Sequence, residues 1–311
     1  MPWKNVQLNS GYEMPTIAFG TWKLGNGQGT IDQVDQAINV GFNHVDTAQS
    51  YRNEQEAGQA IRESGLSRSD IFITTKYSGL NGLDIKTSIQ NSLNNLGVSY
   101  VDLYLIHHPS LARPDIPTAW KEMEELKLKG LVKSIGVSNF GVDDLARLLA
   151  SAKIPPAANQ ILLHPYVYAQ QAPIIDYAKK HDIVIEAYSS LIPLTQRPGG
   201  PVDVPVKEIA KKHNVAPEQV LLAWVNAKGA VCVTTSSKKD RLQRYLDAGD
   251  LKLSDAEIEA IEAAGALGAV GRFSHVASEV VKGDRSEIKT SFFLLLLAVC
   301  ATIVLALRVH G

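Results

Sequence analysis

Four ionisable side chains stand at, or just past, the ends of consecutive apolar runs. Asp46 follows HV, Tyr51 comes five residues later, Lys76 lies near the end of IFITTKY, and His107 closes VDLYLIH. A lone Asp or His in such a place is most often a satisfied structural group, but four at adjacent strand ends share one chemistry. Reducing a carbonyl needs a hydride donor and an acid to protonate the developing alkoxide, and the acid works best with a pKa near the operating pH. A free tyrosine, at about 10, is too weak. A neighbouring Lys76 ammonium favours the phenolate and lowers that value, while Asp46 keeps the ammonium charged and in place. His107 can then donate a hydrogen bond that orients the substrate oxygen. Tyr51 is the expected proton donor.

Two other chemistries lack their residues. A metal-dependent hydrolase on a barrel needs a His-x-His pair on its first strand, and TIAFGTW (16–22) has no histidine, so no metal is expected. A Rossmann dinucleotide site needs Gly-x-Gly-x-x-Gly between a strand and a helix, and no such stretch occurs.

The elements that must position the four groups follow from the hydrophobic pattern. Eight β-type runs each precede a helix-type stretch: 16–22, 44–50, 71–77, 101–107, 134–140, 159–164, 183–190 and 230–237. Runs this apolar on both faces suit a parallel sheet with both sides covered, and their alternation with helices predicts a (β/α)8 TIM barrel rather than a doubly wound open sheet. In that barrel, working residues lie at the carboxyl ends of strands. Asp84 is placed to cap a helix with Ile85, Ile89, Leu93 and Leu96 on one face and Gly97 ending it. Pro117 opens a helix carrying Trp120, Met123, Leu126 and Leu128, and Pro217 opens another. Ahead of the barrel, VQLNSGYEMP reads as a hairpin turning at Asn9, Ser10 and Gly11. Beyond it, SDAEIEAIEAAG reads as a helix, followed by a Gly- and Ser-containing tail from about 265 to 290.

Thirty-one basic and thirty-two acidic residues leave a net charge of -1, which gives nucleic acid nothing to bind. Two cysteines, Cys232 and Cys300, are too few for a disulfide framework or a zinc site and point to a reducing compartment. The amino-terminal stretch has no secretory pattern. Residues 291–307, SFFLLLLAVCATIVLAL, carry no charge. As a helix this run spans about 25 Å, the short end for a bilayer core. The expected organisation is a barrel over 1–275, a polar linker over 276–290 and a hydrophobic transmembrane tail anchor over 291–307. That anchor leaves the catalytic part facing the cytosol, and the weakly basic RVHG end leans to the endoplasmic reticulum. Nothing in the chain speaks to oligomeric state.

With these residues in place, the chain resembles the aldo-keto reductases. GFNHVDTAQSYRNEQEAGQAI resembles the family's second-strand signature, and VDLYLIHHP, IGVSNF, NQILLHPY and EAYSSL match its later blocks in order and spacing, over roughly residues 3 to 265. The resemblance implies that Asp46, Tyr51, Lys76 and His107 form the catalytic tetrad. It implies that Ser138, Asn139 and Gln160 meet the nicotinamide carboxamide, that Tyr188 stacks on its ring, and that Ser189 and Leu191 begin the loop over the pyrophosphate. Thr21, Trp22 and Lys23 would line cofactor and pocket. At the adenosine end the chain departs from the common pattern: Thr235 stands where a lysine is usual and Tyr245 where an asparagine often reads adenine, while Arg241 is kept. Ser236, Ser237 and Lys238 add hydroxyls and charge suited to a 2'-phosphate. Some fungal reductases of conjugated ketones and α-keto amides show similar TTSSK stretches. NADPH is expected in preference to NADH.

The substrate is expected to be a small carbonyl compound. Trp22, Lys23, Tyr77 and His108 are the expected pocket wall with Tyr51, and Ser78 stands where related enzymes often have a bulky aromatic. Only twelve residues separate His107 from Trp120, too few for a long lid. Such a pocket would accept diketones, keto esters or aromatic aldehydes. The competing reading is an NADPH-binding regulatory subunit without turnover.

Overall fold

The computed structural model describes the backbone of residues 2–282, with side chains through residue 268. Eight strands close a parallel barrel: β3 (Ile17–Gly20), β4 (His44–Asp46), β5 (Phe72–Tyr77), β6 (Val101–Ile106), β7 (Val132–Ser138), β8 (Ala158–Leu162), β9 (Val184–Tyr188) and β10 (Val231–Thr234), with β10 pairing back to β3. The register steps evenly, with Gly20 opposite Asp46, Ser138 opposite Gln160, and Gln160 opposite Glu186. Six of the eight lie within their expected runs, while β7 begins two residues and β8 one residue ahead of the runs 134–140 and 159–164. Every residue of β5 and β6 is buried, as a sheet covered on both faces requires.

The helices covering the strands are α1 (Gln28–Val40), α2 (Glu54–Glu63), α3 (Ile85–Leu96), α4 (Ile116–Leu128), α5 (Val142–Leu149), α6 (Tyr168–Lys180), the short α7 (Ile192–Thr195), α8 (Asp203–His213), α9 (Pro217–Ala227) and α10 (Lys239–Asp247). Asp84 caps α3 as expected, accepting the Thr87 amide at 2.6 Å, a contact that contributes about 1 kcal/mol. Gly97 ends that helix at φ 66°. Gly58 lets α2 ride on α3, since a Cβ there would lie 2.3 Å from the Leu96 carbonyl oxygen. On α4, Trp120, Met123 and Leu126 are buried, but Leu128 is 79% exposed. Two residues on from Leu126 is about 200° around the helix, which turns Leu128 away from the face it was assigned.

The expected hairpin forms from β1 (Asn5–Gln7) and β2 (Glu13–Pro15) and closes the amino end of the barrel. Leu8 and Met14 pack under Phe72, Leu103, Leu105 and Val231. Each fully buried side chain of this kind contributes roughly 1.5–3 kcal/mol. Asn9 holds the turn down by donating to the Pro156 carbonyl at 2.9 Å.

The chain divides into two compact units, Met1–Gly268 and Ala269–Gly311. The last described element, α11 (Asp255–Lys282), begins in the first unit. Glu257 fastens its start to α8, 2.7 Å from Lys212 Nζ and 2.8 Å from His213 Nε2. The helix was expected to end at Gly265, yet α11 runs on to Lys282. The glycines serve close approach instead: a Cβ on Gly265 would meet the Pro165 carbonyl, and one on Gly268 the Tyr166 ring. The expected apolar span 291–307 lies outside the described residues. Among the described residues, no helix is long and apolar enough to cross a membrane.

Candidate active site

The carboxyl ends of the strands enclose a cleft of about 690 Å³, a volume suited to a cofactor or small ligand. Strand ends bring the four predicted groups together there. Asp46 is the last residue of β4, and Lys76 extends from β5 into the barrel. Tyr51 comes from a single 3-10 turn, Gln49–Tyr51, which Arg52 ends in the left-handed region at φ 58°. His107 follows β6 directly, its amide donating to the Tyr77 carbonyl at 3.0 Å.

Lys76 is the hub. Its ammonium lies 2.6 Å from Asp46 Oδ1, 2.9 Å from the Thr47 carbonyl and 3.4 Å from the Tyr51 hydroxyl, and the pair with Asp46 is fully enclosed. Burial works against the Lys76 charge, but Asp46 and then Tyr51 outweigh it and hold the ammonium above its ordinary pKa. For Tyr51 the balance differs from the expectation. Burial raises the phenol more than Lys76 lowers it, so its value stays above ordinary rather than falling. The His107 ring meets the Tyr51 ring edge-on, with centroids 5.6 Å apart at 74°. Burial and then the Lys76 charge push His107 down to about 4, leaving the imidazole neutral across the physiological range.

A second set lies beside these groups. The Ser138 hydroxyl donates to the Gln160 carbonyl at 2.8 Å, and the Asn139 amide donates to the His107 carbonyl at 3.0 Å. The Tyr188 hydroxyl donates to Asn139 Oδ1 at 2.8 Å. Asn139 and Ser189 both hold positive φ, at 63° and 59°, where the chain turns sharply past the cleft. Trp22, Lys23, Leu191, Thr235 and Arg241 also line it.

Several predicted positions fall elsewhere. Thr21 is buried behind the cleft, its hydroxyl between Thr47 and Asn53. Tyr77 faces the helices, because strand alternation turns it away once Lys76 points inward, and its hydroxyl donates to the Leu83 carbonyl. His108 is exposed, its Nδ1 accepting the Ser110 amide in the turn Pro109–Leu111. Ser236, Ser237 and Lys238 form the turn into α10 without lining the cleft.

Sequence reasoning missed Glu186. It is completely buried, on β9 opposite Gln160, and neither carboxyl oxygen meets a donor at full hydrogen-bonding geometry. Burial, then the charge of Asp46, pushes its pKa up to about 8. An inward-facing acid within IVIEAYSS was the available signal. Among the described residues, no cluster of His, Cys, Asp and Glu is arranged to hold a metal.

The residues around the cleft fit a nicotinamide dinucleotide. Amides and hydroxyls at Ser138, Asn139 and Gln160 offer donors and acceptors, Tyr188 offers a ring, and Arg241 offers a cation for phosphate. Comparison with known proteins agrees. The aldo/keto reductase family model matches residues 16–266. The chain is 39% identical to the NAD/NADP-dependent indole-3-acetaldehyde reductase of Schizosaccharomyces pombe, over 74% of this chain and 81% of that protein. It is 36% identical to glycerol 2-dehydrogenase (NADP(+)) of Saccharomyces cerevisiae, over 82% and 89% of the two chains. Among solved structures, the Bombyx mori aldo-keto reductase in complex with NADP superimposes with a TM-score of 0.77 at 30% identity, covering 84% of this chain and 92% of that one. A closed parallel barrel, the Asp46–Lys76–Tyr51 contact at its carboxyl end and these relatives converge on one assignment: the chain belongs to the aldo/keto reductase family and is an NAD(P)H-dependent oxidoreductase.

Proposed function

We propose that this protein reduces aldehydes or ketones to alcohols with NADPH, using Tyr51 as general acid. The observation that carries the reading is the single buried ammonium of Lys76, which touches both Asp46 and the Tyr51 hydroxyl. NADPH, when bound, supplies the hydride. As negative charge develops on the carbonyl oxygen, Tyr51 gives up its phenolic proton and Lys76 stabilises the phenolate left behind. Asp46 keeps Lys76 charged, and neutral His107 donates a hydrogen bond to the same oxygen. Ser138, Asn139 and Gln160 hold the carboxamide and Tyr188 backs the ring. Arg241, which lines the cleft, favours the 2'-phosphate and hence NADPH over NADH, with Ser236, Ser237 and Lys238 adding hydroxyls and charge from just outside it at the start of α10.

The short connection from His107 to α4 and the small Ser78 side chain support an open pocket accepting diketones, keto esters and aromatic aldehydes. The apolar run 291–307 supports attachment of the chain to a membrane with the barrel on the cytosolic side, a reading carried by sequence alone. Carbonate extraction of membranes bearing the full chain and the 1–285 form tests it; equal release of both overturns it.

NADPH oxidation with a panel of aldehydes and α-dicarbonyls, comparing wild type with Tyr51→Phe, tests the reaction. Loss of the general acid is expected to slow turnover by about 10²–10⁴-fold. Unchanged turnover in Tyr51→Phe sinks the mechanism, and NADPH binding without consumption by wild type would instead favour a regulatory, non-catalytic role.

A further inference from the structure

His107 carries two ring nitrogens with different surroundings. Nδ1 faces a pair of hydroxyls, 2.9 Å from Ser78 Oγ and 3.4 Å from Ser50 Oγ. The two hydroxyl oxygens are themselves 3.1 Å apart. Nε2 has no hydrogen-bond partner among the described residues, and the ring lines the cleft. A neutral imidazole holds one N–H, so the group at Nδ1 decides what Nε2 presents to a ligand.

We propose that Ser78, supported by Ser50, is a positioning residue that fixes His107 in the tautomer with its proton on Nε2, the form able to donate to a carbonyl oxygen. This rests on the reading of His107 as the group that meets that oxygen. The Ser78 oxygen already accepts the Ser50 backbone amide at 3.3 Å, while the Ser50 hydroxyl oxygen lies 3.1 Å away as an acceptor. An oxygen already accepting an amide turns its own proton away from it, towards an acceptor. The nearest acceptor is Nδ1 at 2.9 Å, closer than the Ser50 hydroxyl oxygen at 3.1 Å and the Lys76 carbonyl at 3.4 Å. With Nδ1 accepting, the ring proton stays on Nε2. The opposite tautomer would aim a lone pair at the carbonyl oxygen, repelling it and donating nothing.

Backbone contacts fix the ring's place independently of the two serines. The His107 amide is tied to Tyr77 and its carbonyl to Asn139. Burial and the nearby Lys76 ammonium keep the imidazole uncharged, so the choice of tautomer persists across the working pH range. Ser50 and Ser78 come from different loops, the turn carrying Tyr51 and the exit of β5. The carbonyl-orienting group is therefore set by the same two elements that supply the acid and its ammonium.

The test is nitrogen-15 NMR of histidine-labelled full-length protein, which reads the tautomer without turnover, beside steady-state kinetics. Wild type and Ser78→Thr are expected to show His107 as a single Nε2–H tautomer. The double variant Ser50→Ala with Ser78→Ala is expected to show a mixture of tautomers, with kcat/KM for a ketone lowered on the order of 10-fold and the Kd for NADPH unchanged. A wild-type Nδ1–H tautomer overturns the proposal, as does a double variant that keeps the single Nε2–H form. Failure of the Tyr51 mechanism would show separately, in the Tyr51→Phe kinetics.

Discussion

The side-chain amide of Gln160 donates to Asp46 Oδ2 at 2.8 Å, while the other oxygen of the same carboxylate holds Lys76 at 2.6 Å. Gln160 comes from β8 and Asp46 from β4, four strands apart in an eight-stranded ring, so the contact spans the barrel. The carboxylate is clamped from both sides, and this fixes where the ammonium sits beneath Tyr51. Gln160→Leu removes one clamp and leaves a buried oxygen without its donor, a loss of roughly 1–3 kcal/mol. We expect Tm to fall by several degrees and kcat to fall with it. Calorimetry and kinetics on the same preparation check this, and a variant with unchanged kcat would show that Asp46 needs no support from β8.

Removing Lys76 separates stability from chemistry. Lys76→Met leaves Asp46 charged and unpaired in the interior, expected to cost about 3–5 kcal/mol, and it removes the ammonium proposed to stabilise the Tyr51 phenolate. Adding Asp46→Asn is expected to restore much of the stability and none of the activity. Urea unfolding of the single and double variants measures the coupling. Recovery of turnover in the double variant would contradict the role given to Lys76.

Glu186 makes stability fall with rising pH. Its folded pKa is about 8, against about 4.3 in an unfolded chain. Between those values the folded protein keeps a proton that the unfolded chain has released, so its contribution is fully present below about 4.3 and is lost as pH rises through about 8. Glu186→Gln removes the effect. The variant is expected to gain on wild type by a few kcal/mol as pH is raised from 5 to 9, read from urea midpoints. A gap between the two that does not change with pH would refute a protonated Glu186.

Arg241 lines the cleft, while the neighbouring Ser236, Ser237 and Lys238 do not. Arg241→Ala is therefore expected to raise the Kd for NADPH about 10- to 100-fold, the loss of one charge-assisted contact, and to leave that for NADH nearly unchanged. Fluorescence titration with each cofactor checks this. An equal loss for both would place Arg241 away from the 2'-phosphate.

Much of this was legible in the sequence because it depends on local periodicity. Alternating apolar runs and capped helices placed eight strands in order, and the strand-end rule picked out Asp46, Tyr51, Lys76 and His107, since those positions are fixed by where each strand stops. Asp84 and Gly97 signalled the ends of α3 through backbone chemistry that neighbours alone decide.

Other features were settled only by the tertiary structure. The inward turn of Lys76 sends Tyr77 out among the helices, and a local turn draws His108 into solvent, so two expected wall residues leave the cleft. Gly265 reads as a helix stop until Pro165 is found against it. The Ser50, Ser78 and Glu186 side chains gain meaning from partners 28 to 140 residues away in the chain, His107, Asp46 and each other, a distance no window of sequence can span. Burial decides the acidity of Tyr51 and Glu186, and burial is a property of the closed barrel rather than of any run of residues within it.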